Sequence, residues 1–254
     1  MDAQTAETTS RFSDRLLRLL ETVEHRVAKT PSDREAVFRL RYDAYLRNGL
    51  LDPRADGQLY DERYDDAPNA QITMTFLDGE LAGTARVNVS VDGGVMLPCF
   101  NVYPDVVAPP LRAGRVIVEI TRLAAQLTLS AAYPELAYFA VRPAYLAARH
   151  YKADYAVATP RAEHMAFYRR VFRFKPWCEP RDYPGLSAKF GCMGMDFQED
   201  RERVEERYPI YRSTSAEREA LFGPLDETHA LDATPPLDSP QFDLTRVASA
   251  AAGP

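Results

Sequence analysis

Arg115-Val116-Ile117-Val118-Glu119-Ile120-Thr121-Arg122-Leu123 is the stretch on which the reading of this chain turns. Apolar residues dominate it on both parities, which predicts a strand buried on both faces. A carboxylate in the middle of such a strand is expensive to desolvate. Glu119 must therefore be answered by an arginine or carry a raised pKa. A raised carboxyl in a cleft is a natural general base for taking a proton from an amine. The competing reading is a structural ion pair with Arg86 or Arg41. Glu119 and Arg122 fall on opposite faces of a regular strand, because their spacing is odd. A bulge between them brings both to one site.

Upstream lies a hairpin. Ile72, Met74 and Phe76 alternate with polar residues, Asp78-Gly79 turns the chain, and Leu81 to Val91 returns. On the return Ala85, Val87, Val89 and Val91 share one face, and Thr84, Arg86, Asn88 and Ser90 the other. Asp92-Gly93-Gly94 reads as a further turn. Phe12, Leu16, Leu19, Leu20, Val23 and Val27 predict an amphipathic helix over residues 11–28. Ser32 or Asp33 caps a second helix, which carries Val37, Leu40, Ala44 and Tyr45 on one stripe.

Arg41 shares that stripe, four residues after Val37 and four before Tyr45. Buried alone it would cost several kcal/mol, so it is paired, lines a cleft, or snorkels from the stripe's edge, the simplest reading on position alone. The acidic run Asp61-Glu62-Arg63-Tyr64-Asp65-Asp66 lacks the ligand spacing and glycine of a calcium loop. It is either solvated or a set of carboxylates that hold Arg41 or a substrate amine.

Downstream, residues 135–150 read as helix, 154–158 as strand, 161–173 as helix and 189–197 as strand. The order of elements predicts an α/β (α+β) domain with one mixed sheet flanked by helices. The chain has 254 residues, with 46% hydrophobic and 27% charged, as expected of a globular protein. No run approaches the ~20 apolar residues of a membrane span, and a cytoplasmic location is expected. The three cysteines, Cys99, Cys178 and Cys192, are too few and scattered for a disulfide framework or a metal site, and Cys99 is expected simply to pack. There is no P-loop, GxGxxG, HExxH or GxSxG. The net charge is −6. Pro224 to Pro254 holds five acids, one base and five of the 19 prolines, and is expected to be disordered. Residues 1–10 are likewise expected to be disordered, leaving one domain over 11–223. Residues 141–190 hold ten Lys or Arg against four Asp or Glu, which suits a solvated face or an acidic partner. Nucleic acid is not expected.

The blocks Phe38-Arg39-Leu40-Arg41-Tyr42-Asp43-Ala44-Tyr45, Tyr60 to Asn69, Ala85-Arg86-Val87, Glu119-Ile120-Thr121-Arg122, Arg161 to Phe172 and Glu205 to Gly223 occur in that order. In this the chain resembles the long-chain N-acyl amino acid synthases and, more distantly, the acyl-homoserine-lactone autoinducer synthases, over about residues 35–222. The resemblance implies a GNAT-like mixed sheet split by a cleft where an acyl thioester meets an amine. It implies that Arg41 and Tyr45 stand on the early helix, and that Glu62 and Asp65 occupy the acidic loop's D-x-Y/F-D positions, Glu62 replacing an Asp. It aligns Arg86 with a strand arginine and Glu119, Thr121, Arg122 and Leu123 with an E-x-S-R-F block. The early Trp of the autoinducer synthases has no counterpart, since Trp177 is the only Trp, which argues against a lactone product.

The reaction expected from the resemblance is transfer of a long-chain acyl group to the amine of an amino acid. Glu119, Arg122 and Arg86 are the expected catalytic residues. Arg41, Tyr45, Glu62, Asp65 and Thr121 are the expected substrate-binding residues. No metal or redox cofactor is expected. Phe139, Tyr145, Phe167 and Phe172 are candidates to line an acyl tunnel. No glycine occurs between Gly114 and Gly185, so the Gly-rich turn that would cradle the pyrophosphate of coenzyme A is missing. An acyl carrier protein, which is acidic, is therefore the expected donor and partner. The alternatives are an acyl-CoA donor, another amine, or a catalytically silent protein that binds acyl chains or acyl carrier protein.

Overall fold

A computed structural model describes residues 3–90 and 97–223, with side chains from Arg11 onward. The first half of the chain gives α1 (Ala3–Leu20), β1 (Val23–Val27), α2 (Pro31–Arg47), the single turn α3 (Glu62–Asp65), β2 (Ala70–Leu77) and β3 (Glu80–Val89). A 3-10 turn over Pro98–Asn101 and α4 (Pro104–Arg112) lead into β4 (Ile117–Ala125). Then come α5 (Leu127–Ala132), α6 (Leu136–His150), β5 (Tyr155–Ala158), α7 (Met165–Phe172), β6 (Lys175–Asp182), β7 (Lys189–Asp196), α8 (Phe197–Arg207) and α9 (Ser215–Phe222). One seven-stranded sheet runs in the order β1-β2-β3-β4-β5-β7-β6. Every pairing is antiparallel except β4 with β5. This is the mixed sheet flanked by helices that the order of elements predicts.

The hairpin, the second helix and the buried strand form where the sequence places them. The cap of helix α2 is Thr30 rather than the expected Ser32 or Asp33: its side chain accepts from the Asp33 N–H while Asp33, inside the first turn, accepts from the Thr30 N–H, and Pro31 opens that turn. The first helix differs from expectation: it spans Ala3–Leu20, and Val23 and Val27 belong to the edge strand β1, paired to Leu77 and Thr73. The expected disordered N-terminus thus overlaps α1 from Ala3 onward. Residues 224–254, Val91 and the Asp92-Gly93-Gly94 turn lie outside the described residues. Among the described residues no helix is long and apolar enough to cross a membrane.

Two features of β4 position the site. First, Thr121 pairs with Arg86 and Ala124 with Thr84, so Arg122 and Leu123 together oppose Ala85. This is a bulge, and Arg122 adopts φ +52°, a conformation that a residue with a Cβ seldom takes. Second, β4 pairs with β5 only from Ile117 to Ile120. Beyond Ile120 the two strands part. One sheet face packs Ala85, Val87, Val118 and Ile120 against α6 in the main core. The other carries Arg86, Asn88, Glu119 and Thr121 beneath α2, α3 and the Pro98–Asn101 turn.

Candidate active site

Arg41 does not snorkel. It is fully buried on α2, and its Nη1 donates to Asp65 Oδ1 at 2.8 Å. Burial lowers its pKa to about 10, which leaves it charged at neutral pH. Arg86 Nη1 lies 3.3 Å from the same Asp65 oxygen, while its Nε donates to Thr121 Oγ1 at 3.1 Å. Asp65 also accepts from the Asp61 N–H at 2.9 Å. Burial raises the Asp65 carboxyl, but Arg41 and Arg86 more than offset that and hold it below the usual range. The α2 helix, the α3 turn and strand β3 are thus tied through one carboxylate.

Glu62 is the exception among the expected site residues. It is exposed at the start of α3, and the arginines meet Asp61 instead. Arg122 Nη2 stands 3.4 Å from Asp61 Oδ2, and Arg86 Nη1 stands 3.9 Å from the same atom. Asp61 and Asp65 are four residues apart, so a single helical turn sets both toward the arginines. That i, i+4 pair was the signal available in the sequence. Tyr45 lies on α2 with its ring 5.9 Å from the Arg122 guanidinium. The αL bend at Arg122 puts it in the same charge cluster as Arg86, which the regular alternation of β4 would not do.

Glu119 is fully buried in the middle of β4. Its partner is neither Arg86 nor Arg41 but the Cys99 N–H, 3.0 Å from each carboxylate oxygen. Burial pushes its pKa up to about 7, with the Cys99 hydrogen bonds and the more distant Arg86 charge working against the rise. Burial pushes up the neighbouring Cys99, Cys192, Tyr64 and Tyr183 protons as well. Cys99 packs as expected, yet its backbone is the carboxyl's main donor, a role no side-chain pattern signals.

Where β4 and β5 part, a cavity of about 480 Å³ opens, a size suited to a small ligand. Its polar end is formed by Arg86, Thr121, Arg122, Tyr45 and Tyr183. Leu123, Leu136, Ala140, Phe167 and Phe190 line the apolar remainder. Glu119 lies behind Thr121 and Arg86, not on the cavity wall. Of the four aromatics expected to line an acyl tunnel, only Phe167 borders this cavity. Phe139, Tyr145 and Phe172 are packed into the main core.

The cluster sets three guanidinium groups (Arg41, Arg86, Arg122) against two carboxylates (Asp61, Asp65) and one carboxyl poised near neutrality. While Glu119 is protonated it carries one uncompensated positive charge. Arg41 Nε and Nη2 and Arg86 Nη1 are buried donors without hydrogen-bond partners among the described residues. The basic run 141–190 is largely spent in ion pairs: Arg142 with Glu217, Arg149 with Glu205, Arg161 with Glu163, Arg173 with Asp200 and Arg181 with Asp105.

A family profile described as N-acyl amino acid synthase FeeM matches residues 36–196. Among solved structures, FeeM, an N-acyl amino acid synthase from uncultured soil microbes, aligns with TM-score 0.61 at 21% identity, covering 73% of this chain and 96% of that one. MesI, a CoA-dependent acyl-homoserine lactone synthase, aligns with TM-score 0.53 at 19% identity over 75% of this chain and 97% of its own. TofI, solved in a ternary complex with an inhibitor and MTA, aligns with TM-score 0.52 at 17% identity over 77% and 98%. These likenesses establish a shared fold. No curated protein matches the sequence significantly.

Proposed function

The chain belongs to the N-acyl amino acid synthase FeeM family, and on that premise we propose that it moves a long-chain acyl group from an acyl carrier protein to the amine of an amino acid. It is an N-acyl amino acid synthase-like acyltransferase, and the donor and acceptor are the part to be argued. The observation that carries the reading is a carboxyl pushed up to about 7 behind Arg86 and Thr121 on the wall of a mainly apolar cavity.

Glu119 takes a proton from the acceptor's ammonium, relayed through one water past Thr121 and Arg86. The freed amine attacks the thioester carbonyl carbon. A C–N bond forms and the C–S bond breaks; of the two protons the ammonium nitrogen gives up in becoming an amide N–H, one passes through Glu119 to the departing thiolate and the other goes to solvent. The developing oxyanion needs donors fixed in place. The β4 segment beyond Ile120 borders the cavity without a β5 partner, so main-chain N–H groups on that side of the strand have no strand partner there. The surplus positive charge suits an acceptor that brings its own carboxylate, and Arg86 and Arg122, both among the residues that line the cavity, are placed to take it.

An acyl carrier protein is favoured over coenzyme A by the turn after β4. It contains no glycine, and the Gln126 side chain already accepts the Leu129 N–H at 2.6 Å, the kind of helix-start donor that a pyrophosphate would need. The opposing reading draws on MesI, which is CoA-dependent. Lipid extracts of bacteria expressing the chain, analysed by mass spectrometry, should contain new N-acyl amino acids that disappear with Glu119→Gln. Turnover of matched acyl-carrier-protein and acyl-CoA donors then decides between donors. Equal use of both overturns the donor assignment alone, and undiminished product from Glu119→Gln overturns the mechanism.

A further inference from the structure

Asn88 stands on β3 directly opposite Glu119 in the β3–β4 ladder, and is as fully buried as Glu119 itself. Residues paired in this way project to the same face with their Cβ atoms about 4.5–5.5 Å apart. The next pair along that face shows what such neighbours do: Arg86 donates to Thr121, the residue opposite it. Asn88 makes no such bond. Neither its Nδ2 nor its Oδ1 has a hydrogen-bond partner among the described residues. A buried amide with both ends unengaged is rare and calls for an explanation.

The neighbour supplies one. A general base alternates between a carboxylate, which only accepts, and a carboxylic acid, which also donates. The Cys99 N–H serves the first state, and the Cys99 thiol, which also meets the carboxyl, is only a weak acceptor for the acid's proton. A side-chain amide can serve both, presenting its N–H₂ to one and its carbonyl oxygen to the other. We propose that Asn88 is a positioning residue for Glu119, turning its amide end for end as the carboxyl loses and regains its proton and so keeping it aimed along the β3–β4 face toward Arg86 and Thr121. This rests on the reading of Glu119 as the base. Other groups facing Glu119 are Arg86 from β3, Tyr64 from α3, Cys99 from the Pro98–Asn101 turn, Tyr183 from the β6–β7 connection and Cys192 from β7. None of these is altered by a change at Asn88, so the two effects separate.

The test is Asn88→Leu, which keeps the approximate shape and removes both polar ends. The carboxylic-acid band of Glu119, assigned by its loss in Glu119→Gln, is followed by infrared spectroscopy across pH. Hydrogen bonds to a charged partner are about twice as strong as those to a neutral one, so losing the amide penalises the carboxylate more. The titration midpoint should rise by roughly one unit. The acid limb of the kcat profile should move with it, with KM for the acyl donor unchanged. An unmoved midpoint in a variant with native circular dichroism overturns the proposal. If Asn88→Leu does not fold, Asn88→Asp, nearly isosteric, takes its place: a second carboxylate facing Glu119 must raise the midpoint sharply, and no rise overturns the placement. The infrared midpoint needs no turnover, so it decides this proposal even if the chain forms no N-acyl amino acid.

Discussion

Glu119→Gln should stabilise the protein at pH 8 while slightly destabilising it at pH 4. The folded-state value is raised from 4.5 to about 7, so the folded protein holds a proton that the unfolded chain releases. The associated stability is complete below pH 4.5, falls as the pH rises toward 7, and is absent above it. At 1.36 kcal/mol per unit, this amounts to about 3 kcal/mol over the interval. Gln has no such dependence. Its Oε1 can still accept the Cys99 N–H, but its Nε2 carries two N–H donors where the acid has one, and the extra donor is left without a partner at every pH, costing about 1 kcal/mol. The variant should therefore gain about 2 kcal/mol over the natural chain at pH 8 and lose about 1 kcal/mol at pH 4. Urea unfolding of both proteins at half-unit pH intervals measures the difference, and other titrating groups cancel in it. In melting temperature the gain is about 4–8 °C at pH 8. Parallel stability curves, with a constant offset from pH 4 to 8, would refute the reasoning, because they would mean that Glu119 ionises alike in the folded and unfolded chains.

Asp65→Asn should cost about 3–5 kcal/mol at pH 7, since it leaves Arg41 and Arg86 facing one another without their shared counter-charge. The folded Asp65 pKa is depressed below 3.8, so its stability is present above that pH and lost as pH falls through the folded value; the gap between variant and natural chain should close in acid unfolding curves. Gly194→Ala should cost about 1–3 kcal/mol in chemical unfolding, because a Cβ there would overlap the Trp177 indole. Ala140→Leu narrows the cavity from the α6 side and should shift the N-acyl products toward shorter chains by mass spectrometry; an unchanged chain-length profile excludes α6 as the wall of the acyl site.

What was legible in the sequence follows from how local the signal is. The β4 strand announced itself because apolar residues on both parities mean burial on both faces, and a carboxylate among them had to be answered. Arg41 and Asp65 were visible as candidates, but whether an arginine on an apolar stripe is buried or snorkels depends on what lies over it, here α3. Strand β1 was hidden because Leu20, Val23 and Val27 continue the helical spacing of α1 while Val23 and Val27 also fit an alternating strand. Strand β6 carries Pro176, Pro180 and four charges, which is tolerable only at a sheet edge, and edge position is a tertiary fact. Cys99 and Asn88 serve Glu119 or face it through backbone placement and strand register, neither of which leaves a residue pattern. Of the tunnel candidates Phe167 borders the cavity while Phe139, Tyr145 and Phe172 pack in the core, because ring-rich helical stripes look alike whether they face a core or a cavity.

The single parallel seam, four residue pairs long, also bears on how the chain is made. Strands β1 to β4 are neighbours in sequence and in space, and can pair as soon as they are synthesised. Strand β5 is complete only at Ala158, so after Ala125 the finished half-sheet waits roughly 2–7 s at ~5–20 residues per second. During that wait β4 is a bare, apolar edge, the kind of surface on which chains stick to one another. Glu119 lies in the middle of it. While still solvated, its carboxyl has an ordinary pKa and is charged, and a charge within an edge strand opposes pairing with a stranger. The residue that the finished fold holds near neutrality thus guards the unfinished one, and nascent chains carrying Glu119→Val should aggregate during synthesis more readily than those carrying the natural residue.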